Sequence, residues 1–294
     1  MSRSDIYSPA AIRRIGEKHG FRNAKSLGQH FLTDKGVIDE IVDAAEIGPE
    51  DLVLEIGPGF GTLTSVAAER AGRVIAVEID KQLIPILGVT LGQYDNIEVI
   101  NRDVLKTDIT DVIEDARKRF PWIRDVKIIG NLPYYITTPI IMKLIEGGVP
   151  CSSITVMMQK EVADRICSPP GKKTYGALSI AVQYYCEVTE VCHVPREMFM
   201  PAPKVDSTVL RLDVRREKPV ELLNEKLFFV CVKAGFSQRR KTLLNCLTGL
   251  RGMEKDEVRK VLEKAGIDPV RRAETLTIDE FAKIANDVER GSVR

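Results

Sequence analysis

Apolar residues along this chain fall into two kinds of run. Short continuous blocks recur at Asp51–Ile56, Arg73–Val77, Ile97–Ile100, Val126–Ile129 and Ile154–Met158. Between them lie stretches with apolar residues at helical spacing, such as Val37, Ile38, Ile41 and Val42 behind the capping pair Thr33 and Asp34. Continuous β-branched blocks read as strands buried on both faces, and strands alternating with amphipathic helices predict a parallel α/β sheet. The helices are expected from Ser8-Pro9 to His19, from Thr62 to Ala71, from Lys81 to Leu91 despite Pro85, and from Asp108 to Phe120. Others follow from Thr138-Pro139 to Gly147-Gly148, from Gln159 to Ile166 and from Tyr175 to Tyr185. Lys25–Leu32 reads as a loop; two late strands, Glu187–Val194 and Ser207–Val214, bracket a proline-rich loop at Phe199–Lys204. After Pro219 the pattern is helical to the end, so the expected division is 1–216 and 217–294, an α/β domain followed by a small all-α domain.

Composition changes this picture little. At 294 residues, 44% hydrophobic and 29% charged, the chain has the make-up of an ordinary globular protein. It opens on Ser, Arg and Asp with no apolar segment behind them, so no signal peptide is expected. No apolar run approaches the ~20 residues needed to span a bilayer. Six scattered cysteines without a C-x-x-C pair, and only three histidines, give no metal-ligand spacing and fit a reducing, cytoplasmic setting. Charge adds more. The net value is +1, but residues 1–30 carry six basic against two acidic groups, residues 31–130 eleven against nineteen, and residues 233–294 fourteen against ten. Basic ends around an acidic centre are expected where a polyanion is gripped from outside.

The candidate chemistry gathers at strand ends. In Ile128-Ile129-Gly130-Asn131-Leu132-Pro133-Tyr134-Tyr135, Pro133 cannot donate to a ladder, so the strand must end near Asn131. That places a carboxamide oxygen, the Leu132 carbonyl and the Tyr134 ring at a carboxyl edge, where open α/β sheets bind ligands. Two acceptors and a stacking face suit the exocyclic amine of a nucleobase. The turn Gly57-Pro58-Gly59-Phe60-Gly61 allows close approach of backbone to a ligand, but as G-x-G-x-G it is not the dinucleotide fingerprint. Glu55 precedes it and could receive an ammonium group or orient the loop. Glu78, 21 residues after Gly57, can take a ribose, and Asp103, after the third strand, can accept from an adenine amine or cap a helix. Ribose and adenine recognition without a phosphate cradle favours S-adenosylmethionine, with NAD as the main rival.

With these pieces assembled the chain closely resembles the KsgA/RsmA family of small-subunit ribosomal RNA adenine dimethyltransferases. The likeness runs from Leu27-Gly28-Gln29-His30-Phe31-Leu32 to Arg271-Arg272-Ala273-Glu274. It includes Gln159-Lys160-Glu161-Val162, Tyr175-Gly176-Ala177-Leu178-Ser179, Phe199-x-Pro201-x-Pro203-x-Val205-x-Ser207 and Phe236-Ser237-Gln238-Arg239-Arg240-Lys241. It implies a Rossmann-like S-adenosylmethionine-dependent methyltransferase, acting as a monomer without metal. The implied substrate is a pair of adjacent adenosines in the 3′-terminal hairpin loop of 16S rRNA, each methylated twice on N6 within a 30S precursor. Cofactor contacts are implied at His30, Leu32, Gly57, Glu78, Asp103 and Asn131, with Gly59 in the same turn. The family usually has Asn where this chain has His30. Asn131, Leu132, Pro133 and Tyr134 form the implied catalytic turn, with Tyr134 and Phe199 as faces for a flipped adenine. Arg239, Arg240, Lys241, Arg271 and Arg272 are candidate phosphate contacts, and Arg13, Arg14, Lys18, Arg22 and Lys25 a candidate opposite bank. The rival enzyme reading is the erythromycin-resistance branch, which modifies 23S rRNA. Other readings are a non-catalytic assembly or transcription factor and a small-molecule methyltransferase.

Overall fold

A computed structural model describes residues 6–24 and 27–291. Lys25, part of the expected basic bank, lies outside the described residues. The strands are β1 (Phe31–Leu32), β2 (Asp51–Ile56), β3 (Arg73–Glu78), β4 (Ile97–Asn101) and β5 (Asp125–Asn131). They continue as β6 (Ser153–Gln159), β7 (Cys186–Val194), β8 (Phe199–Met200) and β9 (Ser207–Val214). The first helices are α1 (Pro9–Lys18), α2 (Lys35–Ala44), α3 (Thr62–Ala68), α4 (Leu83–Thr90), α5 (Ile109–Arg119) and α6 (Thr137–Glu146). Then come α7 (Lys160–Ile166), α8 (Ala177–Tyr185), α9 (Glu225–Gly235), α10 (Leu243–Leu247), α11 (Lys255–Lys264) and α12 (Ile278–Gly291).

Side-chain caps set several helix starts. Ser8 accepts from the Ala11 N–H, Asp34 from Val37, Asp108 from Thr110 and Asp111, and Asn224 from Leu227. Pro85 falls in the first turn of α4, where its missing N–H has no intrahelical partner to lose.

Seven strands form one sheet in the order β4-β3-β2-β5-β6-β9-β7. Strands β2 to β6 pair in parallel, with Leu54 opposite Ile75 on one side and Ile128 on the other. The chain winds outward from β2 through β3 to β4, then crosses back to lay β5 on the other flank of β2. That reversal makes the carboxyl ends of β2 and β5 a topological switch point. Two features depart from an all-parallel reading. Strand β9 runs antiparallel to β6, with Ser153 opposite Asp213 and Gln159 opposite Ser207; it follows β7 without an α-helix to carry a crossover. Phe31–Leu32 and Phe199–Met200, expected in loops, pair instead as a two-stranded antiparallel sheet, Phe31 opposite Met200 and Leu32 opposite Phe199.

The core that fixes the strand tips is apolar. Ile38, Ile41 and Val42 of α2 and Leu63 and Ala67 of α3 bury against Val53, Val74, Ile129 and Met157. A second cluster joins Ile12 and Ile15 of α1, Leu83, Ile86 and Leu87 of α4, and Phe31 and Phe60.

The chain divides into two compact units. One runs to Ala163 and includes Val188–Val214; the other combines Asp164–Glu187 with the residues from Arg215 onward. The helical unit thus draws on α8, well before position 217. Within it, the Tyr184 and Tyr185 hydroxyls both donate to Glu225, at 2.9 and 2.6 Å. Cys186 and Cys231 are buried and the other four cysteines half-buried. Among the described residues no helix is long and apolar enough to cross a membrane, and no cluster of side chains could hold a metal ion.

Candidate active site

The tips of β2, β3, β4 and β5 surround a cleft of about 1040 Å³, its open mouth included. It lies wholly within the sheet-bearing unit. Leu27–Leu32, the glycine turn, Glu78, Asp103 and Asn131–Ile136 all line it.

At β2, the glycine turn is built by conformations that side chains resist. Gly59 sits at φ +60°, and a β-carbon there would stand 3.0 Å from the Phe31 ring. Phe31 is held in turn by edge-to-face contacts with Phe60 and Phe21, at 4.8 and 5.8 Å between centroids. The segment carrying His30 and Leu32 is thereby pressed onto the turn.

Two carboxyls sit at the floor. Glu78 is 4% exposed; its oxygens accept from the Gly59 N–H at 3.3 Å and the Asp80 N–H at 2.8 Å. Burial nevertheless dominates and lifts its pKa to about 7. Glu55 is 1% exposed; burial raises its pKa to about 8, with the Thr64 hydroxyl opposing the rise and the nearby Glu78 charge adding to it. Both carboxyls border the cleft, and a carboxylate oxygen can accept more than one hydrogen bond. Asp103 lines the opposite side with one oxygen accepting from the Leu105 N–H at 2.9 Å and the other 3.9 Å from Lys106 Nζ. It serves a local turn and borders the cleft at once.

At β5, the geometry of Asn131 is decided by its neighbour. Its amide nitrogen donates to the His30 carbonyl at 2.8 Å. A carbonyl can only accept, so the NH2 end must face it and Oδ1 is left as the outward acceptor. Leu132 is buried, with its N–H donating to the Met157 carbonyl at 3.2 Å. The Tyr134 hydroxyl bonds the buried Ser207 hydroxyl at 2.8 Å, and burial raises its pKa. The His30 ring lies over Tyr134, 5.6 Å between centroids and 25° from parallel, and its Nδ1 donates to the Pro201 carbonyl at 2.7 Å. That bond sets the tautomer, with the proton on Nδ1.

Of the expected site residues, the cleft brings together His30, Leu32, Gly57, Gly59, Glu78, Asp103, Asn131, Leu132, Pro133 and Tyr134. Phe199 is not brought to its lining. That ring is 4% exposed and buried in the core beside β1, because its strand pairing with Leu32 turns it inward. The basic residues also fall out differently than expected. Gln238–Lys241 is a turn between α9 and α10, not the start of a helix. Arg271 spends its guanidinium on Glu280 and on the Thr275 carbonyl at 2.8 Å, and Arg239 donates to the Lys173 carbonyl. Arg240, Lys241 and Arg272 are exposed. Two contributors to the cleft escape the sequence reading. Gln29 donates to Asp80 at 2.7 Å and Ser207 anchors Tyr134. Both stand inside the matched motifs, and that position is the signal that could have found them.

Comparison with known proteins bears on this geometry. Residues 20–289 match the family described as ribosomal RNA adenine dimethylase. The ribosomal RNA small subunit methyltransferase A of Clostridioides difficile (strain 630) is 51% identical over 281 residues, covering 96% of each chain. Among solved structures, a dimethyladenosine transferase from Plasmodium falciparum superposes with a TM-score of 0.75 at 30% identity, covering 90% of this chain and 98% of that one. The 23S rRNA methyltransferase ErmE gives 0.66 at 28% identity, over 88% of this chain and 99% of its own.

Proposed function

The chain belongs to the ribosomal RNA adenine dimethylase family, and from that premise we propose that it dimethylates N6 of two adjacent adenosines in the 3′-terminal hairpin loop of small-subunit rRNA, within a 30S assembly particle. It is an S-adenosylmethionine-dependent methyltransferase of rRNA adenine. The oriented Asn131 carboxamide carries the substrate reading, since its fixed Oδ1 accepts where an exocyclic amine would donate.

The cofactor supplies an electrophilic methyl group. Glu78 is suited to the ribose hydroxyls and Asp103 to the adenine amine; the glycine turn allows backbone to approach between them. The chemical difficulty lies in the target nitrogen, whose lone pair is delocalised into the purine. In the first transfer Asn131 Oδ1 and the Leu132 carbonyl each accept one N6 hydrogen, and in the second the single remaining N6 hydrogen goes to one of them; both arrangements favour a pyramidal nitrogen with its lone pair freed. Alignment at about 3–3.5 Å then supplies most of the acceleration. No strong base is required, because the methylated, cationic nitrogen sheds its proton readily. Tyr134, pinned by Ser207, offers a face to a base taken out of its stack.

The 51% identity to a small-subunit enzyme supports this branch over the 23S rRNA branch, with its 28%. Methyl transfer from labelled cofactor onto 30S particles from a strain lacking the enzyme tests it. Label is expected in N6,N6-dimethyladenosine near the 3′ end of 16S rRNA; label in 23S rRNA alone, or none, would overturn the assignment.

A further inference from the structure

Tyr135 has no part in the chemistry above, yet it is the most exposed aromatic side chain among the described residues, at 56%. It borders the same cleft, one residue past Tyr134 and four past Asn131. A core role is ruled out by that exposure. The expected cofactor acids stand at the end of β3 and just past β4, whereas Tyr135 stands beyond the end of β5, four residues past Asn131.

Its ring is also braced. Gly28, at φ +58°, presents no side chain; a β-carbon there would stand 3.3 and 3.4 Å from Cδ1 and Cε1 of Tyr135, and 3.9 Å from Pro133 Cβ. The ring therefore rests against bare backbone that only a glycine supplies, with its remaining surface open. A ring held this way has little motion to lose on stacking, which makes it a low-cost aromatic contact.

We propose that Tyr135 is a second stacking platform at the mouth of the cleft, receiving the RNA base that flanks the flipped adenine. This rests on the rRNA reading above. Extracting one base from a loop breaks its stack with a neighbour, and an aromatic ring one residue from the Tyr134 face offers that neighbour a replacement. Stacking on an aromatic ring reads no base edge, so the platform tolerates whichever base flanks the target.

Steady-state methylation of unmethylated 30S particles by the full chain tests the idea, with cofactor affinity measured separately by calorimetry. Tyr135→Ala is expected to raise the KM for particles about tenfold while the cofactor Kd stays within about twofold. Tyr135→Phe keeps the ring and is expected to behave as wild type. In a hairpin carrying 2-aminopurine beside the target adenosine, wild type and Tyr135→Phe should quench its fluorescence on binding and Tyr135→Ala should not. An unchanged particle KM for Tyr135→Ala, an equal loss of cofactor affinity, or a Tyr135→Phe variant as weak as alanine would overturn the platform and leave the rRNA assignment standing. A wild-type enzyme that fails to methylate the particles at all would overturn both.

Discussion

The cleft at the strand tips and the basic turn before α10 are both marked by clusters of residue types, but only the cleft is built as a site. Its polar groups come from segments as much as 101 residues apart, and each is oriented by a defined partner: Asn131 by the His30 carbonyl, Glu78 by backbone amides that include Gly59 and Asp80, Tyr134 by Ser207. Among the basic residues, neighbours in sequence go separate ways. Arg271 is consumed by Glu280 and lowers that carboxyl's pKa, while the adjacent Arg272 keeps solvent access. Charge proximity along a chain is thus a poor guide to shared function, whereas convergence of distant polar groups on one cavity is a strong one.

The sharpest way to break this contrast is Asn131→Ala. Loss of the oriented acceptor should reduce methyl transfer by at least about a hundredfold, with the thermal unfolding midpoint little changed, as one designed acceptor in a reacting site is commonly worth this much. Near-normal turnover would mean that Asn131 serves only to hold the His30 segment.

A smaller effect is expected from the floor. Glu78 and Glu55 bind protons more tightly folded, at about 7 and about 8, than at the ordinary 4.5 of an exposed glutamate. The folded state therefore holds more protons than the unfolded one, and stability should fall as pH rises from about 4.5 through 7 to 8. Glu78→Gln should flatten part of that fall in a pH series of unfolding midpoints. Cofactor affinity should run the other way in the wild type, rising as Glu78 ionises to accept ribose hydroxyls, and calorimetry across the range around pH 7 checks the sign.

Among the basic residues, replacing Arg240, Lys241 and Arg272 together with alanine should weaken RNA binding and flatten the log K against log salt plot by about one unit for each phosphate no longer neutralised. Arg271→Ala should leave that slope nearly unchanged and instead cost about 1–2 kcal/mol of stability, from the broken pair with Glu280 and Thr275. If the two variants behaved alike, the separation drawn between the adjacent arginines would fail.

Much of the α/β unit is legible from residue order because parallel strands are buried on both faces and read as near-continuous apolar runs, as Ile154–Met158 does. The strand end at Asn131 is legible because Pro133 cannot extend a ladder. The two-residue strands β1 and β8 are not, since no periodicity exists over two residues and their pairing joins positions 31 and 200. Nor is the direction of β9, which depends on which strand it meets.

Residue order by itself determined the alternation of strands and helices, the glycine turn, and the acids and amide at strand ends, because these follow from backbone allowance and burial within a few residues. Only the tertiary structure decided which end of the Asn131 amide faces outward, that Phe199 turns into the core, and that Arg271 is neutralised. The first two depend on partners far along the chain, His30 for Asn131 and Leu32 for Phe199, and the third on how the turn after Arg271 folds back to bring Glu280 and the Thr275 carbonyl to its guanidinium.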